Sequence, residues 1–579
     1  MAGTRALRRR VLVALGLVAL VTAATIGATT ALNVNKQVRQ ANAPDLILYN
    51  GLITTLDAKG STMKAVAIRD GKIIAIGDQN GRIKALADDG TQVIDLDGRR
   101  VLPGLIDGTL HGIRTGYHCF TRSVRHETTF KRADALAEYA RVAANVEPGK
   151  WLFTTSGSWN VAQLDVPGMF TKAELDAVAP NHPVFVQGVG FSGVQVNTAG
   201  LNRLGLSAGM PGVVVGPDGQ PTGQLTAPAN GAASRSIGAE LGELTTDEQA
   251  ACLEDFLQEI NRRGLTAWDD PGGNDPFDPN GTGITVLRDQ HGYQAVNLLH
   301  REGRLTARIT FNLSCFGPDA VIGVECVKRH TFNATSRLGD DMLRLGGIGE
   351  DVLQVGPGGV YPEEDYHEIL VHLAENDWKF QHHATAESTQ HSMVDMWEMV
   401  NEEDAQMDDL GWVMLHPGEG PEDPSQEVLD QLAGLGAGIV PTNPGARGGG
   451  SSHPPYKRIY DSDARSCLGT DALNASTYAP FVNLWYTVSG KTYVPGVQGV
   501  VPEQRLTRTE ALRMATEKCG WFLELDGKVG TLEPGKYADL IVLSDDYFKV
   551  PVDDIRTLTS VLTVVNGEIV WSDEEYAGL

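Results

Sequence analysis

Eight short apolar segments recur along the middle of this 579-residue chain, each followed by a helical or loop stretch. They are Val101–His111, Leu265–Asp270, Ile309–Leu313, Met342–Leu345, Trp378–His383, Trp412–His416, Ala437–Pro441 and Ser466–Asp471. Strands alternating with helices at this number and span predict an α/β fold, a (β/α)8 TIM barrel whose chemistry sits at the C-terminal strand ends. Helix starts are marked by capping boxes. Thr245 and Glu248 precede Cys252, Leu253, Phe256, Leu257 and Ile260 at helical spacing, and Thr507 and Glu510 open the last helix. The stretch 112–260 is too long for one strand-to-helix connection, so it is expected to hold an inserted subdomain that covers the site.

The two ends of the chain have a different pattern. Asp45–Gly51, Lys64–Gly71, Lys72–Gly77 and Gln92–Gly98 are apolar pieces separated by Asn-Gly or Asp-Gly, and Asp70-Gly71 between two such runs is a hairpin signal. Ala538–Ser544 and Thr559–Gly567 are β-rich in the same way. Residues 44–100 and 531–579 are therefore expected to form one composite β-sandwich, with the barrel, residues 101–530, inserted between its halves.

A net charge of −25 argues against a nucleic-acid partner, because neutralising phosphates needs clustered Lys and Arg. The six cysteines form no C-x-x-C pair, which argues against a cysteine-based zinc site. A Cys315–Cys326 disulfide is open to the chain in an oxidising compartment, but six cysteines in this length make no disulfide scaffold. Residues 1–32 stand apart: Arg5, Arg8, Arg9 and Arg10 precede an uncharged run from Val11 to Leu32. As a helix that run reaches ~33 Å, enough to span a bilayer core, and the arginines place the body outside the cytoplasm. The segment reads as a retained membrane anchor or, if cleaved, an export signal. Residues 33–43 read as a linker. The oligomeric state stays open, a homo-oligomer included.

Several strand candidates end in a ligand-type side chain: His111, Asp269 with Asp270, His383, His416 and Asp471. Period-2 alternation puts Asp107, Thr109 and His111 in one row at the end of the first strand. In a barrel such ends converge, and imidazole with carboxylate is a zinc-type ligand set. Gly445–His453 lies beyond the seventh strand candidate and lacks the G-K-[ST] ending of a phosphate-binding loop. Arg447 within it could hold a substrate carboxylate. Trp159, Phe191 and Tyr117 could line an apolar pocket, though core packing is the plainer role.

Pro103-Gly-Leu-Ile-Asp-Gly-Thr-Leu-His111 resembles the P-G-[LF]-[IV]-D-x-H-x-H signature of the amidohydrolase superfamily, and Gly530–Leu543 resembles its closing segment. Gly149–Trp159, His182–Val186 and Gly264–Asp270 resemble the amidohydrolase 3 branch, which includes N-substituted formamide deformylases. The resemblance implies a metal site that activates water to hydrolyse an amide-like C–N bond. Carried over by position, His111 matches the second histidine of H-x-H, and His383 and His416 match the histidines of the fifth and sixth strands. Asp471 matches the eighth-strand aspartate, a proton shuttle and metal contact. The chain departs from the pattern at Thr109, Phe191, Ala227 and Gly349, where the family has histidine, histidine, glutamate and lysine.

Those departures predict one divalent metal, expected to be zinc, rather than two. Its ligands would be His383 and His416 with a carboxylate from Asp471, Glu350 or Asp351, while His111 is either a ligand or an electrophilic donor. The expected activity is hydrolysis of a non-peptide C–N bond in a small-molecule substrate, with Asp471 moving the proton. An altered, non-hydrolytic enzyme and a metal-free extracytoplasmic binding protein are the alternatives.

Overall fold

The computed structural model describes residues 43–126, 129–154, 161–188, 193–272, 293–315, 320–350, 352–353, 362–404, 407–418, 423–442, 454–472, 476–494, 496–497 and 499–576. The apolar run from Val11 to Leu32 lies outside these residues, as do Asp351, Trp159, Phe191 and Gly445–His453. Among the described residues, no helix is long and apolar enough to cross a membrane.

Eight parallel strands form the central sheet: β1 Leu105–Asp107, β2 Leu265–Asp270, β3 Arg308–Leu313, β4 Leu343–Ile348, β5 Lys379–His383, β6 Val413–Leu415, β7 Gly438–Val440 and β8 Arg465–Ser466. Each pairs with the next in chain order. The sheet curls back on itself, and the chain beyond β8 bonds to the chain beyond β1. Gly108 N donates to Leu468 O at 2.9 Å, Asp471 N to Thr109 O at 2.8 Å and His111 N to Ala472 O at 3.1 Å. The buried Asp107 carboxylate secures this seam, accepting from Thr109 N (3.1 Å), Thr470 N (3.0 Å) and Thr470 Oγ1 (2.6 Å).

The first strand is shorter than alternation implies. Arg100–Pro103 pairs antiparallel with Leu540–Leu543 in the sandwich, and the chain turns at Gly104 before entering the barrel as β1. A Cβ at Gly104 would lie 2.1 Å from Thr266 Oγ1 on β2, so the crossing needs a residue without a side chain. β1 ends at Asp107. Thr109 and His111 are therefore not in a strand row with it; they lie in the seam, and His111 is the N-cap of helix α1, Gly112–Tyr117.

A five-stranded sheet, with outer strands Val213–Val215 and Leu152–Phe153, forms the insertion. It has its own core of Tyr139, Leu152, Phe170, Leu175, Val184 and Val186. It ends sooner than residue 260. Helix α2, Thr246–Arg262, begins at the expected capping box but belongs to the barrel layer, where it packs against α1, β2 and Ser560–Val565. A Cβ at Gly116 of α1 would meet Leu253 Cδ1 at 2.4 Å, and the Cys119–Cys252 disulfide ties the two helices together. Cys315–Cys326 and Cys467–Cys519 are also bonded. Sequence spacing suggested only the second of these three pairs; the other two bridge 133 and 52 residues and follow from tertiary contact alone.

Below the barrel, a four-stranded sheet (Leu46–Tyr49, Ala65–Arg69, Lys72–Gly77, Gln92–Asp95) faces a six-stranded one. The latter combines Leu52–Thr54, Thr62–Met63 and Arg100–Pro103 with Leu540–Leu543, Ser560–Val565 and Glu568–Ser572 from the other end of the chain. Leu48, Val66, Ile68, Ile94, Val101, Leu540, Val542 and Val564 form the shared core. Asp70 (φ 50°) and Gly71 (φ 77°) make the expected hairpin turn.

Candidate functional site

The ends of β4, β5, β6 and the β1–β8 seam meet around one carboxylate, Glu350. It follows β4 directly, after Gly349, whose N donates to Leu313 O at 3.1 Å. Glu350 Oε2 lies 2.7 Å from His416 Nε2, and Oε1 lies 3.3 Å from His111 Nε2. His383, the last residue of β5, bonds through its backbone N to Glu350 O at 3.0 Å, and its ring sits 4.6 Å from that of His416. Asp471 Oδ1 is 3.2 Å from His111 Nε2.

Two groups thus have ligand atoms within 4.8 Å of one another: Glu350, His383 and His416, and His111, Glu350 and Asp471. The four side chains singled out as one ligand set are therefore divided, with Glu350 common to both parts. Asp471 does not join His383 and His416; it pairs with His111. Among the three carboxylates considered for the histidine pair, the structure brings in Glu350, while Asp351 lies outside the described residues.

Local backbone geometry explains how these side chains are aimed. His416 and Asp471 have φ of 65° and 47°, a left-handed conformation uncommon for residues other than glycine. His416 is held there by its N–H bond to Val440 O, and Asp471 by its bond to Thr109 O. Strain of this kind persists where surrounding structure over-determines it, commonly at functional sites. His111 donates its Nδ1–H to Gly272 O at 2.8 Å, which leaves Nε2 facing the two carboxylates. Gly272 (φ 96°) is the residue that composition could not flag: a Cβ there would stand 2.8 Å from Asn312 O.

Charge is the dominant fact of the site. Burial and the Arg114 guanidinium oppose a proton on His111, yet Glu350 and Asp471 outweigh them and lift its pKa to about 9. Burial likewise opposes the proton on His416, but the Asp471 charge and the Glu350 bond raise its pKa. Burial opposes ionisation of Glu350, whereas His111 and His416 hold it well below the ordinary carboxylate range. His383 is pushed down to about 4, first by burial and then by His416, so its ring is neutral.

The arrangement fits a divalent cation. His416 Nδ1 is buried without a hydrogen-bond partner among the described residues, and Glu350, His383 and His416 bring ligand atoms within 4.8 Å of one another, which leaves donor atoms of a metal-binding kind gathered in one place. A neutral imidazole, a second imidazole and a carboxylate form the three-ligand, open set of a catalytic zinc centre.

The remaining candidates lie elsewhere. Asp269 is enclosed beneath the mouth, 3.2 Å from Lys379 Nζ and bonded to Asn312 and Gln381. Asp270 accepts from Ile113 N and Gly272 N and so fixes the start of α1. Thr109 Oγ1 is buried without a hydrogen-bond partner among the described residues, while its carbonyl positions Asp471. Ala227 lies in the insertion, just after its strand Pro221–Leu225. Tyr117 is a core residue.

A family model described as the amidohydrolase family matches residues 92–571. An N-substituted formamide deformylase of Arthrobacter pascens is 22% identical over 563 residues, covering 90% of this chain and 97% of its own. A metal-dependent hydrolase of Pyrococcus furiosus superposes with a TM-score of 0.59 at 18% identity, covering 87% of this chain and all of its own. Atrazine chlorohydrolase of Arthrobacter aurescens, solved with zinc, gives 0.52 at 16% identity over 91% of this chain and 96% of its own. At these identities the two structures speak for the barrel fold.

Proposed function

The chain belongs to the amidohydrolase family, and from that premise we propose that it hydrolyses a non-peptide C–N bond of a small molecule, with one divalent cation held by Glu350, His383 and His416. Membership makes it a hydrolase of carbon–nitrogen bonds. The observation that carries the finer reading is the convergence of Glu350 and His383, both half-buried, with the buried His416 in one three-ligand group at the C-terminal mouth.

A divalent ion bound there, zinc being the natural choice for this donor set, would draw the pKa of water toward about 7 and polarise a carbonyl. The chain's own residues supply the rest. Asp471, set 3.2 Å from His111 Nε2 and fixed by its backbone bond to Thr109 O, takes a proton from the attacking water and returns it to the leaving nitrogen. The C–N bond breaks as the C–O bond forms, giving a carboxylic acid and an amine. His111, oriented by Gly272 O, faces Asp471 with Nε2 and serves as the electrophilic donor.

Similarity to a formamide deformylase makes N-substituted formamides the first substrate class to test. A panel of N-alkyl and N-aryl formamides and acetamides, assayed for release of amine, should show turnover by the metal-loaded protein. Asp471→Asn should lower that turnover ~10³-fold or more while metal content and fold persist; an Asp471→Asn variant with full turnover contradicts the role given to Asp471. All six cysteines are in disulfides, which supports an oxidising, exported location. In this reading residues 1–32 direct export and tether the enzyme to the membrane unless they are cleaved.

A further inference from the structure

We propose that the guanidinium of Arg114 stands in the place of a second cation, so that this centre works with one divalent ion and one arginine. The inference rests on the hydrolase reading above and deepens it. The second ligand group, His111, Glu350 and Asp471, is geometrically as complete as the first, so geometry alone does not limit the centre to one ion.

Arg114 sits one turn beyond His111 on α1, which places it on the same side of that helix. It is 6% exposed. Its neighbour Ile113 donates its backbone N–H to Asp270 at 2.8 Å, and burial lowers the pKa of Arg114 against the opposing charges of Glu350, Asp471 and Asp270. Its Nη2 is fully enclosed and has no hydrogen-bond partner among the described residues. An arginine kept only for packing would be expected to have its donors satisfied, since a buried unpaired N–H is costly. An enclosed guanidinium one helical turn from His111, with a donor to spare, suits a site that balances charge and receives an oxygen from substrate.

The charge of the site favours the same conclusion: a second divalent ion in this group would be set close to the fixed positive charge of the enclosed Arg114 guanidinium. Thr109 completes the picture: the hydroxyl at that position adds no ligand to the second group.

The test is a titration of the chelated, full-length protein with Zn2+ alone, followed by calorimetry and by metal analysis after gel filtration. Wild type should take one equivalent. Arg114→Met should take a second equivalent or bind the first at least ~10-fold more tightly, because a repelling charge has been removed. Arg114→Lys, which keeps that charge, should stay at one. Two equivalents in wild type would overturn the inference and leave the hydrolase reading in place. A folded Arg114→Met protein with unchanged stoichiometry and affinity would also overturn it alone. No bound zinc in wild type would overturn both. If Arg114→Met does not fold, Arg114→Gln, which also removes the charge, takes its place under the same two outcomes.

Discussion

Asp107 shows how one side chain serves the fold next to a reactive centre. Burial pushes its pKa up to about 7 despite bonds from Thr470 Oγ1, Thr109 N and Thr470 N. The folded state thus keeps a proton that the unfolded chain, with an ordinary Asp pKa of ~3.9, releases. Its contribution is therefore full below about pH 4 and is lost as pH rises through 7. Asparagine would keep both amide bonds through its oxygen and let Thr470 Oγ1 accept instead of donate. Asp107→Asn should narrow the difference in melting temperature between pH 5 and pH 8 by several degrees, measured by calorimetry. An unchanged difference would show that Asp107 does not titrate in this range. Glu350 illustrates what residue-level reading misses. Beside Gly349 it looked like one of three interchangeable carboxylates, and only the register of β4 against β5 and β6 makes it the shared centre of both ligand groups.

At the scale of elements, the local signals were legible where the physics is local. The capping boxes at Thr245 and Thr507 and the turn at Asp70-Gly71 formed as expected, because each is decided within a few residues. The run from Val101 to His111 was not read correctly, since its division at Gly104 depends on Thr266, a residue 162 positions away in a neighbouring strand. Gly104→Ala should cost about 1–3 kcal/mol, because the new methyl meets Thr266 Oγ1 at 2.1 Å in a packed joint. Gly81→Ala is the control: it lies in helix Asn80–Lys84 with open space around it, and gains roughly 0.5–1 kcal/mol in helix preference. Chemical denaturation of the two variants should move in opposite directions; equal losses would contradict the packing argument.

Across the whole molecule, barrel and sandwich are joined by buried ion pairs as well as by chain continuity. Arg308 at the start of β3 makes a bidentate contact to Asp539, at 2.6 and 3.1 Å, and also reaches Asn566 Oδ1 at 3.2 Å. The C-terminal segment thereby fastens to the base of the barrel while the ligands gather at the opposite, C-terminal strand ends. That polarity was legible in the sequence, because strand candidates ending in His111, His383, His416 and Asp471 could meet only there. How the four would be shared between positions was not, since it depends on a fifth residue. The central claim is that Glu350, His383 and His416 together hold the catalytic ion. Anomalous diffraction from crystals of the zinc-loaded protein tests it directly. The account predicts a peak with one Glu350 oxygen and one nitrogen from each histidine at about 2.0–2.2 Å. A peak held by other residues, or none at full zinc loading, would contradict it.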